Sequence, residues 1–127
     1  MKQSQPKAFD ERVKRCGKKL QELIAYLTST ATYSGANVSP RHYVVKNGWG
    51  ITFYAGDNWF CQFHPKESKE HVWALVQGAK SSALRDAGFT PADRIDKQLW
   101  VTVKNMNAAV RLVPLILRAH DAVAAEG

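Results

Sequence analysis

Between residues 41 and 77 the chain runs through four short segments rich in aromatic and β-branched side chains, each separated from the next by only a few residues. They read RHYVVK (41–46), WGITFY (49–54), NWFCQFH (58–64) and EHVWALVQ (70–77). Between them lie Asn47-Gly48, Gly56-Asp57 and Pro65-Lys66-Glu67-Ser68-Lys69. Asn-Gly and Gly-Asp tolerate the positive φ that twisted two-residue hairpins demand. Connections this short leave no room for the crossover that parallel strands require. The pattern therefore predicts an antiparallel meander.

Downstream, Gly78 closes the fourth strand. Residues 79–87 (AKSSALRDA) predict a short helix stopped by Gly88, followed by a polar loop from Pro91 to Lys97,. QLWVTVK (98–104) alternates as a fifth, late strand,. Upstream, Phe9, Val13, Cys16, Leu20, Leu23, Ile24 and Leu27 recur at helical spacing and predict one amphipathic helix over 8–29, running through Gly17,. Thr28 to Asn37 reads as loop, closed by Ser39-Pro40,. At the far end, Asn105 or Asn107 is placed to cap a last helix with Val110, Leu112, Val113, Ile116, Leu117, Ala119 and Val123 on its faces,. Pro114 is expected to kink that helix or to mark its true start near residue 112, and the tail 124–127 to fray. The expected fold class is α+β: an antiparallel sheet of about five strands, a meander plus one late strand, with N- and C-terminal helices packed on one face. Residues 1–7 read as a disordered basic lead-in and 8–127 as a single domain.

With 127 residues, 45% of them apolar, the chain can build one core and not two,. The formal charge of +7 is unevenly placed: residues 1–20 carry a surplus of +5 and the rest only +2. Cys16 and Cys61 cannot make a disulfide framework and sit in no metal-type spacing, so both read as reduced, packed thiols. No apolar leader opens the chain and no apolar run is long enough to span a bilayer, which makes a cytoplasmic location the expectation.

Strand alternation sorts the side chains onto two faces. One is almost purely apolar: Ile51, Phe53, Trp59, Cys61, Phe63, Val72, Ala74, Val76, Leu99, Val101 and Val103. The other is expected to carry His42, Val44, Lys46, Thr52, Leu75 and Thr102, and with them the candidate ligand-binding set Tyr54, Phe60, Gln62, His64, His71, Trp73, Trp100 and Lys104. Rings supply stacking area and His, Gln and Lys fix a polar edge, the mixture suited to a flat or anionic ligand. The alternative is that residues 79–97 cover this face and the mixture is core and rim. A second candidate is the basic first helix, with Lys7, Arg12, Lys14, Arg15, Lys18 and Lys19 placed to track phosphates or an acidic protein. Its alternative is a solvated outer face.

Catalysis is the weaker reading, and no catalytic residue, cofactor or metal is assigned. The strands hold no paired carboxylates and no Gly-rich phosphate loop precedes a helix. Cys61 points to the core, where its thiol would be inert. His64 and His71 flank a hairpin loop and could approach one another, yet nothing obvious completes a metal site.

The run from Trp49 to Tyr54, then Asn58-Trp-Phe-Cys-Gln-Phe-His-Pro-Lys66, His71-Val-Trp-Ala-Leu-Val, Gly78-Ala and Trp100-Val-Thr-Val before a final helix resembles the YdhG-like family of small uncharacterised bacterial domains. The resemblance covers about residues 42–122 and implies an α+β sheet-and-helices domain. One branch of that family is described as frataxin-like and linked to iron handling through acidic surface; this chain has a basic first helix instead. The resulting expectation is a small binding domain engaging an anionic or aromatic partner, nucleic acid or acidic protein among them. A small-molecule-binding or hydrolytic domain on the same sheet face, and a module that homodimerises through it, are the alternatives.

Overall fold

Turn lengths set the pairing of the sheet. In the computed structural model, which describes residues 4–93 and 98–126, β1 (Val38–Val45), β2 (Gly48–Ala55), β3 (Asn58–Lys66) and β4 (His71–Val76) form the meander. The β2–β3 turn is Gly56-Asp57, where Gly56 at φ 65° takes the conformation that a two-residue turn needs at its first central position,. In the β1–β2 hairpin Val45 pairs with Gly48, so the central pair is Lys46-Asn47 and neither has a positive φ. The hairpin is as expected, but its turn lies one residue earlier than Asn-Gly would put it. Between β3 and β4 the chain makes a 3-10 turn (Glu67–Lys69), then Glu70 at φ 53° swings it back.

Two further strands, β5 (Ala92–Asp93) and β6 (Leu99–Val103), complete an all-antiparallel sheet in the order β1-β2-β3-β4-β6-β5. The sheet has six strands, one more than the pattern predicts, because Ala92 and Asp93 pair with Trp100 and Leu99 inside the expected polar loop. Residues 94–97 of that loop lie outside the described residues.

β1 starts earlier than expected and includes Ser39-Pro40. Proline is tolerated there because β1 is an edge strand,. That edge is not bare. The His42 N–H donates to Ser4 Oγ at 3.0 Å, the Gln5 N–H to the His42 carbonyl at 2.9 Å, and the Val44 N–H to Gln5 Oε1 at 3.1 Å. Part of the expected lead-in thus blocks the groups that would otherwise recruit a foreign strand, and Pro6 and Lys7 already belong to the first helix.

That helix is two helices, α1 (Pro6–Arg15) and α2 (Lys18–Thr32), not one over 8–29. Cys16 and Gly17 are extended, with ψ 158° and 160°. The break turns Phe9 onto His42 and Trp49, with ring centroids 4.9 and 5.2 Å away, while α2 buries Leu20, Leu23, Ile24, Leu27 and Ala31. The Gln21 side chain donates to the Cys16 carbonyl at 2.9 Å and satisfies part of the α1 end,. After β4, α3 (Ser81–Asp86) buries Leu84 in the same core.

The last helix, α4 (Met106–Glu126), runs unbroken through Pro114 and includes most of the tail. Asn105 Oδ1 accepts the Ala108 N–H at 2.9 Å and caps it,. Proline removes the hydrogen bond to the Val110 carbonyl. Pro114 and Val110 both lie on the exposed side of α4, where water can take that carbonyl. Leu112, Ile116, Leu23 and Leu27 meet Ile51, Phe53, Phe63, Val72 and Val101 in one core on the helix-covered face. The terminal helices pack on one face of the sheet, as the patterning predicts.

Candidate functional site

The pairing register assigns the second face residue by residue. One row across the strands is Arg41, Thr52, Gln62, Leu75, Trp100 and Ala92; the next is Tyr43, Gly50, His64, Trp73 and Thr102. Lys66 and His71 pair at one end, and Tyr54 and Trp59 at the other. Tyr54, Gln62, His64, His71, Trp73 and Trp100 therefore share the face on which the alternation places them, each partly exposed. Lys104 follows β6 as an exposed residue outside the strand. The face is not open throughout: Leu75 is buried on it, and Thr102 shares a groove with Gly88, Phe89 and Thr90. Leu84 and Phe89 are buried in the helix-side core, and α3 shares a groove with Pro114, Leu115 and Arg118 of α4.

Phe60 is the exception among the predicted ligand residues. It is fully buried, against Phe53 and His120. The register shifts between Phe53 and Tyr54, which pair with Cys61 and Trp59, so Phe60 is the extra residue of a β-bulge,. Phe60 and Cys61 both turn to the core, and Trp59, expected in the core, comes out on the open face. β1 is reversed as well: His42 and Val44 lie with Ile51 and Trp49 on the helix side, and Arg41 and Tyr43 take the open side. A two-residue hairpin pairs even positions of one strand with odd positions of the next. That parity, applied to residues 41–54, would have placed Tyr43 correctly. No alternation rule would have found the bulge.

Tyr43 lies across Gly50, where an added Cβ would sit 2.5 Å from the Phe63 carbonyl and 2.8 Å from the Tyr43 hydroxyl oxygen. Only hydrogen fits there. The Tyr43 hydroxyl then hydrogen-bonds His64 Nδ1, and His64 Nε2 donates to Gln62 Oε1 at 3.1 Å. His64 pairs with Trp73 while His71 pairs with Lys66, so the two histidines do not face each other. Among the described residues no three His, Cys, Asp or Glu side chains are grouped to hold a metal ion. Cys61 is fully buried, and burial pushes its thiol well above the usual range,.

The aromatic part of the face is a tilted Trp73–Trp100 pair, with centroids 4.2 Å apart, and the Lys66 ammonium 4.1 Å from the Trp73 ring centre. Arg41 stands 5.8 Å from the Tyr54 ring. Such cation–ring contacts are worth only about 0.5–1 kcal/mol at exposed sites, so a stacking ligand can displace them. Beside them, His71 carries an Nε2 that is shielded from water and has no hydrogen-bond partner among the described residues. Burial, then Lys69, Lys104, Lys66 and Lys19, hold its pKa below the ordinary histidine value,. The two carboxylates of the neighbouring loop turn away. Glu67 pairs with Arg12 of α1 at 3.3 Å, and the Glu70 carboxylate lies against Gly17 at the start of α2. None of the described inter-strand positions on the open face is Asp or Glu.

The basic-helix set is divided by the α1–α2 break. Lys7, Lys14, Arg15, Lys18 and Lys19 are exposed. Arg12 is occupied by Glu67 and stands over Trp49 at 5.6 Å. Lys19, on α2, is the one that acts on His71 and joins the lysines at the sheet end. His120, outside every predicted site, is structural: buried, with Nε2 2.9 Å from the Ala36 carbonyl, it ties the loop before β1 to α4. No helix is long and apolar enough to cross a membrane among the described residues. No family model matches the chain, and no curated protein and no solved structure is found to be similar to it.

Proposed function

We propose that this domain is a non-enzymatic binding module that engages an anionic partner across the open face of its sheet. The observation that carries this reading is the composition of that face. Tyr43, Tyr54, Trp59, Trp73 and Trp100 stand with Arg41, Lys66 and His71, and no carboxylate lies among the described paired positions of that face. Contiguous partly exposed rings on a sheet mark an interaction surface, and the cations around them select its charge. The same residues give little support to a hydrolytic reading, since His64 is engaged by Tyr43 and Gln62 and the Cys61 thiol is sealed in the core.

Retention on heparin-agarose tests the reading. The domain is expected to bind at low salt and to elute earlier when Lys66→Ala is combined with Lys104→Ala. The pair Lys14→Ala with Arg15→Ala, on α1 of the helix-covered side, should change elution less. Absence of retention at low salt, or a larger effect of the helix pair, would overturn it.

A further inference from the structure

From the arrangement of rings and lysines we infer that the anion taken by this face is single-stranded nucleic acid, its bases stacked on the Trp73–Trp100 pair and its backbone led past Lys66, Lys69 and Lys104. This inference rests on the anion-binding reading above and deepens it. Phosphate alone needs cations; it has no use for a partly exposed tryptophan pair. An acidic protein has no use for it either beyond what any apolar patch supplies. A single strand presents both chemistries together, flat π-faces and a phosphate at every step, and an open sheet bearing aromatic side chains is a surface on which bases stack without regard to sequence.

The layout fits such a strand. The six strands span roughly 24 Å at about 4.8 Å per strand, room for a few splayed nucleotides. The Lys66 ammonium already occupies the space beside the Trp73 ring that an incoming base would take, 4.1 Å from its centre. His71, whose Nε2 lacks a partner among the described residues, stands among Lys19, Lys66, Lys69 and Lys104 at that end. The opposite end differs: a groove of about 500 Å³ there is lined by Tyr54 and Trp59 together with Asp57 and Glu126. The two ends of the sheet thus differ in charge, with phosphates favoured at the β3–β4 end. A duplex hides its bases and would leave the rings unused.

Fluorescence anisotropy with labelled oligothymidylate, against a duplex of equal length and polyphosphate of matched charge, tests this. The single strand is expected to bind at least tenfold tighter than either. Trp73→Ala should weaken the single strand about tenfold and polyphosphate hardly at all, and Trp73→Phe should restore most of the loss. Lys66→Ala should lower the slope of log K against log salt by about 0.7, one phosphate contact. Equal affinity for polyphosphate and single strand would overturn the inference and leave the anion-binding reading standing. Preference for the duplex, or for polyglutamate, would overturn it in favour of another partner. Binding of no probe at low salt would overturn both. A dimer by light scattering that Trp73→Ala converts to monomer would overturn both as well, because the face would then be its own partner's.

Discussion

The two faces of the sheet are built from the same strands and answer to different physics. On the helix side Phe53, Phe60, Phe63 and Ile51 are sealed, and every ring there has a neighbour within the core. On the other side Tyr54, Trp59, Trp73 and Trp100 are partly exposed and their neighbours are lysine, arginine and each other. Aromatic content is therefore no guide to burial in this chain. What separates the faces is how far the rings are sealed: packed into the helix-covered core on one, partly open beside lysine and arginine on the other. The first arrangement stabilises the fold, and the second is suited to binding.

Four perturbations break or sharpen that contrast. The most severe is Phe60→Ala, which empties a fully buried site and should cost about 3–5 kcal/mol in urea denaturation. Its neighbour Trp59, only one position away, should cost about 1 kcal/mol when changed to alanine. Equal costs would mean that the bulge does not separate them. Next comes Gly50→Ala, where the new methyl meets the Phe63 carbonyl and Tyr43; overpacking of this kind costs about 1–3 kcal/mol. Nuclear magnetic resonance of the His64 ring should show its link to Tyr43 lost in that variant. A variant of full stability would count against the close approach of the strands.

Trp73→Ala should cost about 1–2 kcal/mol, from one ring pair and one cation contact. The same change should have its larger effect on binding. The smallest effect is a pH dependence. His42 is held below the ordinary histidine value of about 6.5 by burial, against the opposing influence of Asp10,. His71 is held below it by burial and by Lys69, Lys104, Lys66 and Lys19. The unfolded chain accepts protons there that the folded chain resists. Stability should therefore be full above about pH 6.5 and decline as pH falls toward the depressed values. Urea midpoints across that range should flatten in His71→Gln and in His42→Gln. A slope unchanged in both would assign the acid sensitivity elsewhere.

Much of the architecture was legible because it rests on local rules. Short turns forced antiparallel pairing, and alternation placed Gln62, His64, His71, Trp73 and Trp100 on one face. The misplacements came where a local rule had two solutions. Helical periodicity ran unbroken through Cys16-Gly17, although Phe9 and Leu23 had to reach different parts of the core. Proline at 114 looked like a boundary, yet the carbonyl it orphans lies on the exposed side of α4, and packing of the buried face outweighs one hydrogen bond.

The sequence by itself determined the α+β class, the meander and the basic front end, since each follows from turn length, side-chain period or charge. Only the tertiary structure decided which rings are core and which are surface. The β-bulge that exchanges Phe60 for Trp59 is set by how β3 meets β2 under α4, and a bulge leaves no mark in the alternation of its own strand. Likewise, the lysines of β3, its turn, the end of β6 and the start of α2 are scattered along the chain. They become one charged end only because antiparallel pairing brings Lys66 opposite His71 and the fold brings α2 beside them.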